Sequence, residues 1–226
     1  MRESATAPIT SPVRSMGGLI GGEAAALSKL EAKTDSDTAN ACIADPMLAR
    51  ATTYAMAVLE TNASMGRIVA APTAGSSGVV PAMLLAAQDE HGFSDEELIN
   101  ALANAAAIGY LITRNATVAG AEGGCQAAQC FAAASNALCG LMGLVCDPVA
   151  GLVEAPCQKR NATGVANAIV SAQIALAGIG NLANFDETVE AMRRVGNSLP
   201  FELRESALGG LAATPSACAF CEGRMN

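Results

Sequence analysis

The sequence predicts a mostly helical, all-α fold. Hydrophobic residues make up 51% of the 226 residues, aromatic residues only 3%, and Trp is absent. Ala, Gly, Val and Leu supply most of the apolar content, and such small side chains let helices approach closely. No strict apolar–polar alternation indicates strands. We therefore expect one helical domain over 17–208, with a loose N-terminal arm (1–16), a C-terminal tail (209–226) and functional residues in loops.

Charge and composition exclude several classes of partner. The formal net charge of −8 argues against a nucleic-acid partner and against an anionic membrane surface, both of which require a basic face. The apolar runs are interrupted well before the ~18–20 residues of a membrane span. The N-terminus lacks an apolar signal region, so we expect a cytoplasmic protein. In that compartment the eight cysteines are not expected to form a disulfide framework.

Local signals place the helices of the first half. Pro46 marks either a break or an early-turn position. Ser94 and Glu97 have the spacing of a capping box, which predicts a helix start at residue 95. Gly92 fits the end of the helix before it. The predicted helices are 23–33, 38–60, 79–90 and 95–112.

The second half is predicted in the same way. Asp186 is the expected N-cap of a helix that ends at Gly196, and Pro200 suits the first turn of a short last helix. Glycine and proline make the remaining stretches turn-rich. The predicted helices are 127–142 and 161–178, and the predicted loops are 113–126 and 143–160.

Three cysteines are candidate metal ligands because each lies in a predicted loop beside glycine or proline: Cys125, Cys146 and Cys157. Loops can aim thiolates at one centre, and three thiolates on a [4Fe–4S] cluster would leave one iron open. The alternative is that they are buried thiols acting as small apolar residues. Cys42, Cys130 and Cys139 lie in Ala-rich helical sequence. The spacing matches neither a ferredoxin nor a paired zinc motif.

Two further groups of polar residues are candidate binding sites. The stretch around Thr73, Ser76 and Ser77 combines hydroxyls with glycines before a predicted helix, which suits a carboxylate or phosphate. It also suits an ordinary capped loop. Asn115 and Thr117 are either substrate contacts or hydrogen-bonding loop residues.

The charged residues are ambiguous in the same way. Lys159 and Arg160 either hold an anion or are solvated. His91, the one histidine, is expected to cap a helix end rather than act in catalysis.

Four segments carry a family resemblance: APTAGSSGVVPA (71–82), GAEGGCQA (120–127), GLVCDPVAGLVEAPCQKRNA (143–162) and RESALGGLAATPSAC (204–218). From about Gly18 to Cys218 the chain resembles the α chain, or α domain, of iron–sulfur-dependent L-serine dehydratase. The resemblance implies a mostly helical lyase that converts L-serine to pyruvate and ammonia with a [4Fe–4S] cluster and without pyridoxal phosphate.

The same resemblance implies roles for individual residues. The cluster ligands would be Cys125, Cys146 and Cys157, with Cys218, or else Cys221, as a possible ligand from the tail. The substrate loop would be Pro72, Thr73, Ala74, Gly75 and Ser76, joined by Lys159 and Arg160. Thr73, Ser76 and Asn115 are the candidate catalytic residues of this chain. An open iron would act as a Lewis acid on the serine hydroxyl while a base removes the α-proton.

Two departures from the family pattern bear on function. The histidine-bearing β portion has no match here, and His91 does not replace it, so we expect a separate β chain to supply the base. Cys125 and Cys146 are 21 positions apart, which is shorter than in the family by about one helix with its connection. The alternatives are therefore a non-catalytic scaffold or thiol-binding subunit that has lost the cluster, and a redox protein that uses Cys218 and Cys221.

Overall fold

The computed structural model describes residues 1–33, 41–117, 154–180, 182–204, 206, 208–209, 213–215 and 218–219. Within these ranges the regular secondary structure is helical and no strand occurs, which confirms the all-α prediction. None of the helices described is long and apolar enough to span a membrane. The predicted helix 127–142 lies outside the described residues, as do Cys125, Cys130, Cys139, Cys146 and Cys221.

The N-terminal segment is not a loose arm throughout, because helix α1 (Arg2–Thr10) packs against the rest of the fold. Ser4, Ala5 and Pro8 are its buried residues. Thr61 Oγ1 donates a hydrogen bond to the carbonyl oxygen of Ser4 at 2.9 Å. Small side chains in this helix permit the close approach, a tertiary effect that the Ser- and Pro-rich composition did not reveal.

Helix α2 (Glu23–Glu31) precedes the central helix, α3 (Pro46–Ala63). The Asp45 carboxylate caps α3 by accepting a hydrogen bond from the Leu48 N–H at 3.1 Å. Pro46 takes the first helical position, where its missing N–H is not needed, so the early-turn alternative is correct. Helix α3 packs against α1, α2 and the two helices that carry the site, Val79–His91 and Glu154–Leu176.

Helices α4 (Val79–His91) and α5 (Asp95–Asn115) follow the predicted bounds closely. Gly92 ends α4 with φ = 73°, a left-handed conformation that favours glycine. The Ser94–Glu97 capping box is present in full. His91 lies in the last turn of α4, as expected for a helix-end residue.

Helix α6 (Glu154–Leu176) begins seven residues earlier than predicted, so Cys157 lies in a helix and not in a loop. The sequence pattern was misleading because Pro156 breaks a helix interior but is tolerated in a first turn. Helix α7 (Phe185–Ser198) is capped by Asn184 and not by Asp186, and Gly196 lies inside it. Pro200 immediately precedes the last short 3₁₀ turn, Phe201–Leu203.

Candidate functional site

The site is built around residues 71–78, a loop between α3 and α4 that we call the 71–78 loop. The Ala71–Pro72 peptide bond is cis. Ala74 is exposed at the tip of the loop, whereas Ser76, Ser77 and Gly78 are buried. The loop is therefore exposed at Ala74 and buried in its second half.

Hydrogen bonds between Thr73 and Ser76 hold the loop in shape. Their hydroxyl oxygens are 2.9 Å apart, and each hydroxyl also accepts the other residue's backbone N–H at 3.2 Å. Ser76 Oγ donates to the Ala71 carbonyl at 3.0 Å. Because this bond uses the Ser76 proton, the Thr73 hydroxyl is the donor in the bond between the two. Ser76 thus orders the loop from inside, and Thr73 is only half-buried.

Cys157 is presented by the first turns of α6. Its side chain is 1% exposed and packs in the apolar core with Ala51, Val58, Val79 and Val165. A thiol in this position packs as a small apolar residue in a core, which is one of the two alternatives from the sequence.

Asn161, one turn beyond Cys157, connects α6 to the 71–78 loop. Its amide nitrogen donates to the carbonyl oxygens of Gly75 and Cys157, both at 2.7 Å. Its amide oxygen accepts from the Gly78 N–H at 2.9 Å. The loop and the thiol-bearing turn are therefore joined through one fully buried side chain.

Gly78 is required at the contact of the loop with two helices. A Cβ there would lie 2.6 Å from the Ala55 carbonyl oxygen on α3 and 2.9 Å from Asn161 Oδ1 on α6. The Ala55 carbonyl belongs to the backbone of α3 and cannot move aside as a flexible side chain can. Any residue larger than glycine at position 78 would therefore displace the loop from α3 and α6. Asn62, near the end of α3, adds a longer hydrogen bond to the Ala74 carbonyl at 3.4 Å.

A buried carboxyl group lies beside the site. Glu60 on α3 is 1% exposed and accepts hydrogen bonds from the N–H groups of Gly22 and Ala24 at 3.2 and 2.8 Å. Gln158, the neighbour of Cys157, donates to Glu60 Oε1 at 3.2 Å. Burial raises the pKa of Glu60, the two backbone N–H donors oppose the rise, and nearby Glu23 adds to it. Glu60 therefore ties α6 to the N-terminus of α2.

The other predicted site residues are separated by the structure. Lys159 is exposed, whereas Arg160 is buried, so the two do not form one solvated pair. Asn115 lies at the exposed end of α5 and its amide donates to the Leu111 carbonyl of its own helix. Cys218 is exposed in the tail. Cys125 and Cys146 fall outside the described residues.

Three residues of the site were not predicted: Glu60, Gln158 and Asn161. The sequence predicts a loop over 143–160 and a helix over 161–178, so it assigns Gln158 and Asn161 to different elements and does not reveal their shared helical register. With α6 assigned, the i, i+4 spacing places Cys157 and Asn161 on one face. No local signal identifies Glu60, because a Glu in a helix is ordinarily exposed.

The fold and site define a class: an all-helical domain that couples a hydroxyl-lined loop to a buried cysteine through a buried amide. The family of the serine dehydratase alpha chain matches residues 1–134 and 127–212, and the chain belongs to this family.

Several bacterial proteins whose names include L-serine dehydratase are similar to this chain. The L-serine dehydratase alpha chain of Peptoniphilus asaccharolyticus is 48% identical over 193 residues, which cover 76% of this chain and 66% of that protein. The probable L-serine dehydratase alpha chain of Bacillus subtilis (strain 168) is 42% identical over 225 residues, 90% of this chain and 73% of that protein. The L-serine dehydratase of Helicobacter pylori (strain ATCC 700392 / 26695) is 38% identical over 186 residues, 71% of this chain but 41% of that protein.

The alignments agree with the expected shortening of the stretch between Cys125 and Cys146. The 193 positions aligned with the Peptoniphilus protein occupy 76% of 226 residues, or about 172, so about 21 positions lack a residue here. The Bacillus alignment, with 225 positions over 90% of the chain, or about 203 residues, leaves about 22. The two family matches meet at residues 127–134, between Cys125 and Cys146. A deletion at this junction accounts for both observations.

Proposed function

We propose that this chain is the α chain of an iron–sulfur L-serine dehydratase, a lyase that forms pyruvate and ammonia from L-serine. The observation that carries the proposal is the Asn161 bridge between the 71–78 loop and Cys157. It joins the two segments in which the family's substrate loop and a cluster cysteine would lie. Relatives whose names include L-serine dehydratase support the substrate.

The loop's proposed task is to bind and orient the serine carboxylate. Ala74 is exposed at the tip, so a small anion can reach this part of the loop. The Thr73 hydroxyl beside it is half-buried and held by Ser76, and its proton would turn from Ser76 Oγ to the carboxylate when serine binds. A preformed loop of this kind loses little entropy when it binds substrate. Ser76 acts in this scheme by holding Thr73 and not by touching serine.

Cys157, with Cys125 and Cys146, is the proposed ligand set of a [4Fe–4S] cluster. Thiolates are the ligands that such clusters take, and the burial of Cys157 suits a site that excludes water. A cluster on three thiolates supplies a Lewis acid that eases departure of a hydroxyl group. Cys218, exposed in the tail, stays a possible additional ligand. No role for pyridoxal phosphate is proposed.

A second polypeptide is part of the proposal. The part of the chain that the structure describes contains one histidine, His91, at the end of α4 and exposed. The base that removes the serine α-proton is therefore proposed to come from a β chain, in keeping with the alpha-chain names of the relatives.

The test is the iron and acid-labile sulfide content of anaerobically purified protein, with its visible spectrum. We expect about four irons and four sulfides per chain, and their loss in Cys157→Ser. Cys42→Ser is the matched control, because Cys42 is half-buried and outside the proposed ligand set. Colourless wild-type protein that resists reconstitution would refute the cluster. A cluster without serine turnover after addition of the β chain would refute the activity.

A non-catalytic scaffold that has lost the cluster is the second candidate. A deletion of about 21 positions between two proposed ligands, which we infer from the alignments, favours this candidate, as does the packing of Cys157 as an apolar residue. This candidate predicts colourless protein that binds no iron, in the wild type and in Cys157→Ser alike. The proposal of an iron–sulfur serine dehydratase predicts a coloured, oxygen-sensitive protein.

A further inference from the structure

Asn161 uses almost its full hydrogen-bonding capacity in the site. Both hydrogens of its amide nitrogen are donated, to Gly75 O and to Cys157 O, and its oxygen accepts the Gly78 N–H. Every partner is a backbone group. The side chain therefore fixes the path of the main chain on both sides, independently of which side chains the loop displays.

The three bonds act across a large distance in sequence. Gly75 and Gly78 are 86 and 83 residues from Asn161, whereas the Cys157 carbonyl is one helical turn away. The bond to Cys157 holds the amide plane, and the other two hold the loop against that plane. As a result, the loop cannot shift along α6 without breaking two hydrogen bonds in a place closed to water.

No other side chain reproduces this arrangement. Aspartate has the same shape but has no donors, and its second oxygen would face the carbonyl oxygens of Gly75 and Cys157. Glutamine is one methylene longer, and the space is already limited, since a Cβ on Gly78 would stand 2.9 Å from Asn161 Oδ1. An asparagine is therefore specifically suited to the position.

We infer that Asn161 is a positioning residue that sets the separation between the serine-binding loop and the turn bearing Cys157. The inference rests on the proposed function and adds a determinant of serine affinity that touches neither serine nor the cluster. Because Asn161 acts through the backbone of Gly75 and Gly78, its loss should loosen the loop while leaving Cys157 able to act as a ligand.

The experiment compares Asn161→Ala and Asn161→Asp with the control Asn104→Asp, which makes a similar change on the exposed surface of α5. Each protein is reconstituted anaerobically and combined with its β chain. Three quantities are measured: amide hydrogen exchange of peptides covering 71–80, iron content, and the kcat and KM for L-serine.

In Asn161→Ala we expect loop exchange at least tenfold faster, serine KM raised about tenfold or more, and iron content close to wild type. Two lost hydrogen bonds to the loop account for an effect of this size. Asn161→Asp should show still faster loop exchange and a still higher serine KM than Asn161→Ala. Asn104→Asp should match the wild type in both. If Asn161→Asp does not fold, Asn161→Ala decides alone.

Two results would overturn the inference. One is unchanged loop exchange in Asn161→Ala. The other is a merely structural effect, in which iron content and thermal stability fall while serine KM stays at its wild-type value. A wild-type protein with neither cluster nor serine turnover would instead refute the proposed function. Loop exchange in the variant then still decides whether Asn161 holds the loop.

Discussion

Helices α3 and α5 are similar in composition and opposite in burial. Both are rich in alanine and other apolar residues, yet α3 buries ten of its 18 residues whereas α5 buries one of 21, Ile112. Side chains exposed on α5 include Ile99, Ile108, Tyr110 and Leu111. Apolar composition therefore identified both as helices and did not indicate which one would form the core.

The two helices differ in burial because different helices pack against them. Within the described residues α3 packs against α1, α2, α4 and α6, so every side of the helix meets another helix. Its small residues, such as Ala51, Ala55 and Ala57, are fully buried because they let those helices come close. Helix α5 has α4 and α7 as its main described neighbours. The candidate site lies on the α3 side of the molecule, where packing is tightest.

The largest expected contrast comes from the same substitution in the two helices. Leu59 on α3 is 2% exposed and Leu111 on α5 is 45% exposed. Leu59→Ala should lower the free energy of unfolding by about 2–5 kcal/mol, because it removes buried methyl groups and leaves a cavity. Leu111→Ala should cost under about 1 kcal/mol. Urea unfolding followed by circular dichroism measures both.

Equal effects at the two leucines would contradict the comparison. A Leu111→Ala variant as unstable as Leu59→Ala would mean that α5 is covered in solution, whereas a mild Leu59→Ala would mean that α3 is not the core. The valine variants of both residues provide a graded series in which the ordering should persist.

A buried and an exposed carboxyl should respond to pH with opposite signs. The pKa of Glu60 on α3 is raised above its ordinary value of 4.5 by burial, so the folded state holds this proton more tightly than the unfolded state. Its contribution to stability is full below that value and is lost as pH rises through the raised pKa. The stability advantage of wild type over Glu60→Gln should therefore shrink as pH rises.

Glu190 on α7 provides the exposed counterpart. Hydrogen bonds from Arg193 and Arg194 lower its pKa to about 2. Its contribution is present above its ordinary pKa of 4.5 and is lost as pH falls toward 2. Unfolding of Glu190→Gln, measured over the same pH series as Glu60→Gln, should show the reverse trend, and a trend of the same sign in both would contradict the assignment.

The smallest effects concern the helix caps. Asp45→Ala at α3 and Ser94→Ala at α5 each remove a side-chain acceptor from a first-turn N–H, a change worth about 1 kcal/mol. Because α3 is central, we expect Asp45→Ala to lower the midpoint of global unfolding. Ser94→Ala should mainly speed hydrogen exchange in the first turn of α5. A larger fall in the midpoint of global unfolding for Ser94→Ala than for Asp45→Ala would contradict the central role of α3.

Prediction from sequence succeeded where the signal is local. The Ser94–Glu97 capping box and the glycine stop at Gly92 placed α4 and α5 to within a few residues. It failed where a local signal has two meanings. Pro156 lies in the first turn of α6 and not in the predicted loop, and Asn184 caps α7 in place of the predicted Asp186.

For the site, the sequence indicated the residue types but not their arrangement. The sequence singled out the hydroxyls of Thr73, Ser76 and Ser77 in one loop, but not the hydrogen bond between Thr73 and Ser76 or the burial of Ser76. Arg160 and Lys159 were treated as one feature, and burial separates them. Whether Cys125 and Cys146 join Cys157 stays a prediction from the sequence.

The sequence by itself determined the helical class, most helix starts and stops, and the loop and cysteine segments that mark the family. These depend on contacts between residues a few positions apart, which a pattern records. Only the tertiary structure decided that α3 is the core, that Glu60 is buried against α2, and that Asn161 joins the loop to Cys157. Each of those depends on partners tens of residues away, and their free energy comes from the exclusion of water at a contact that no local pattern encodes.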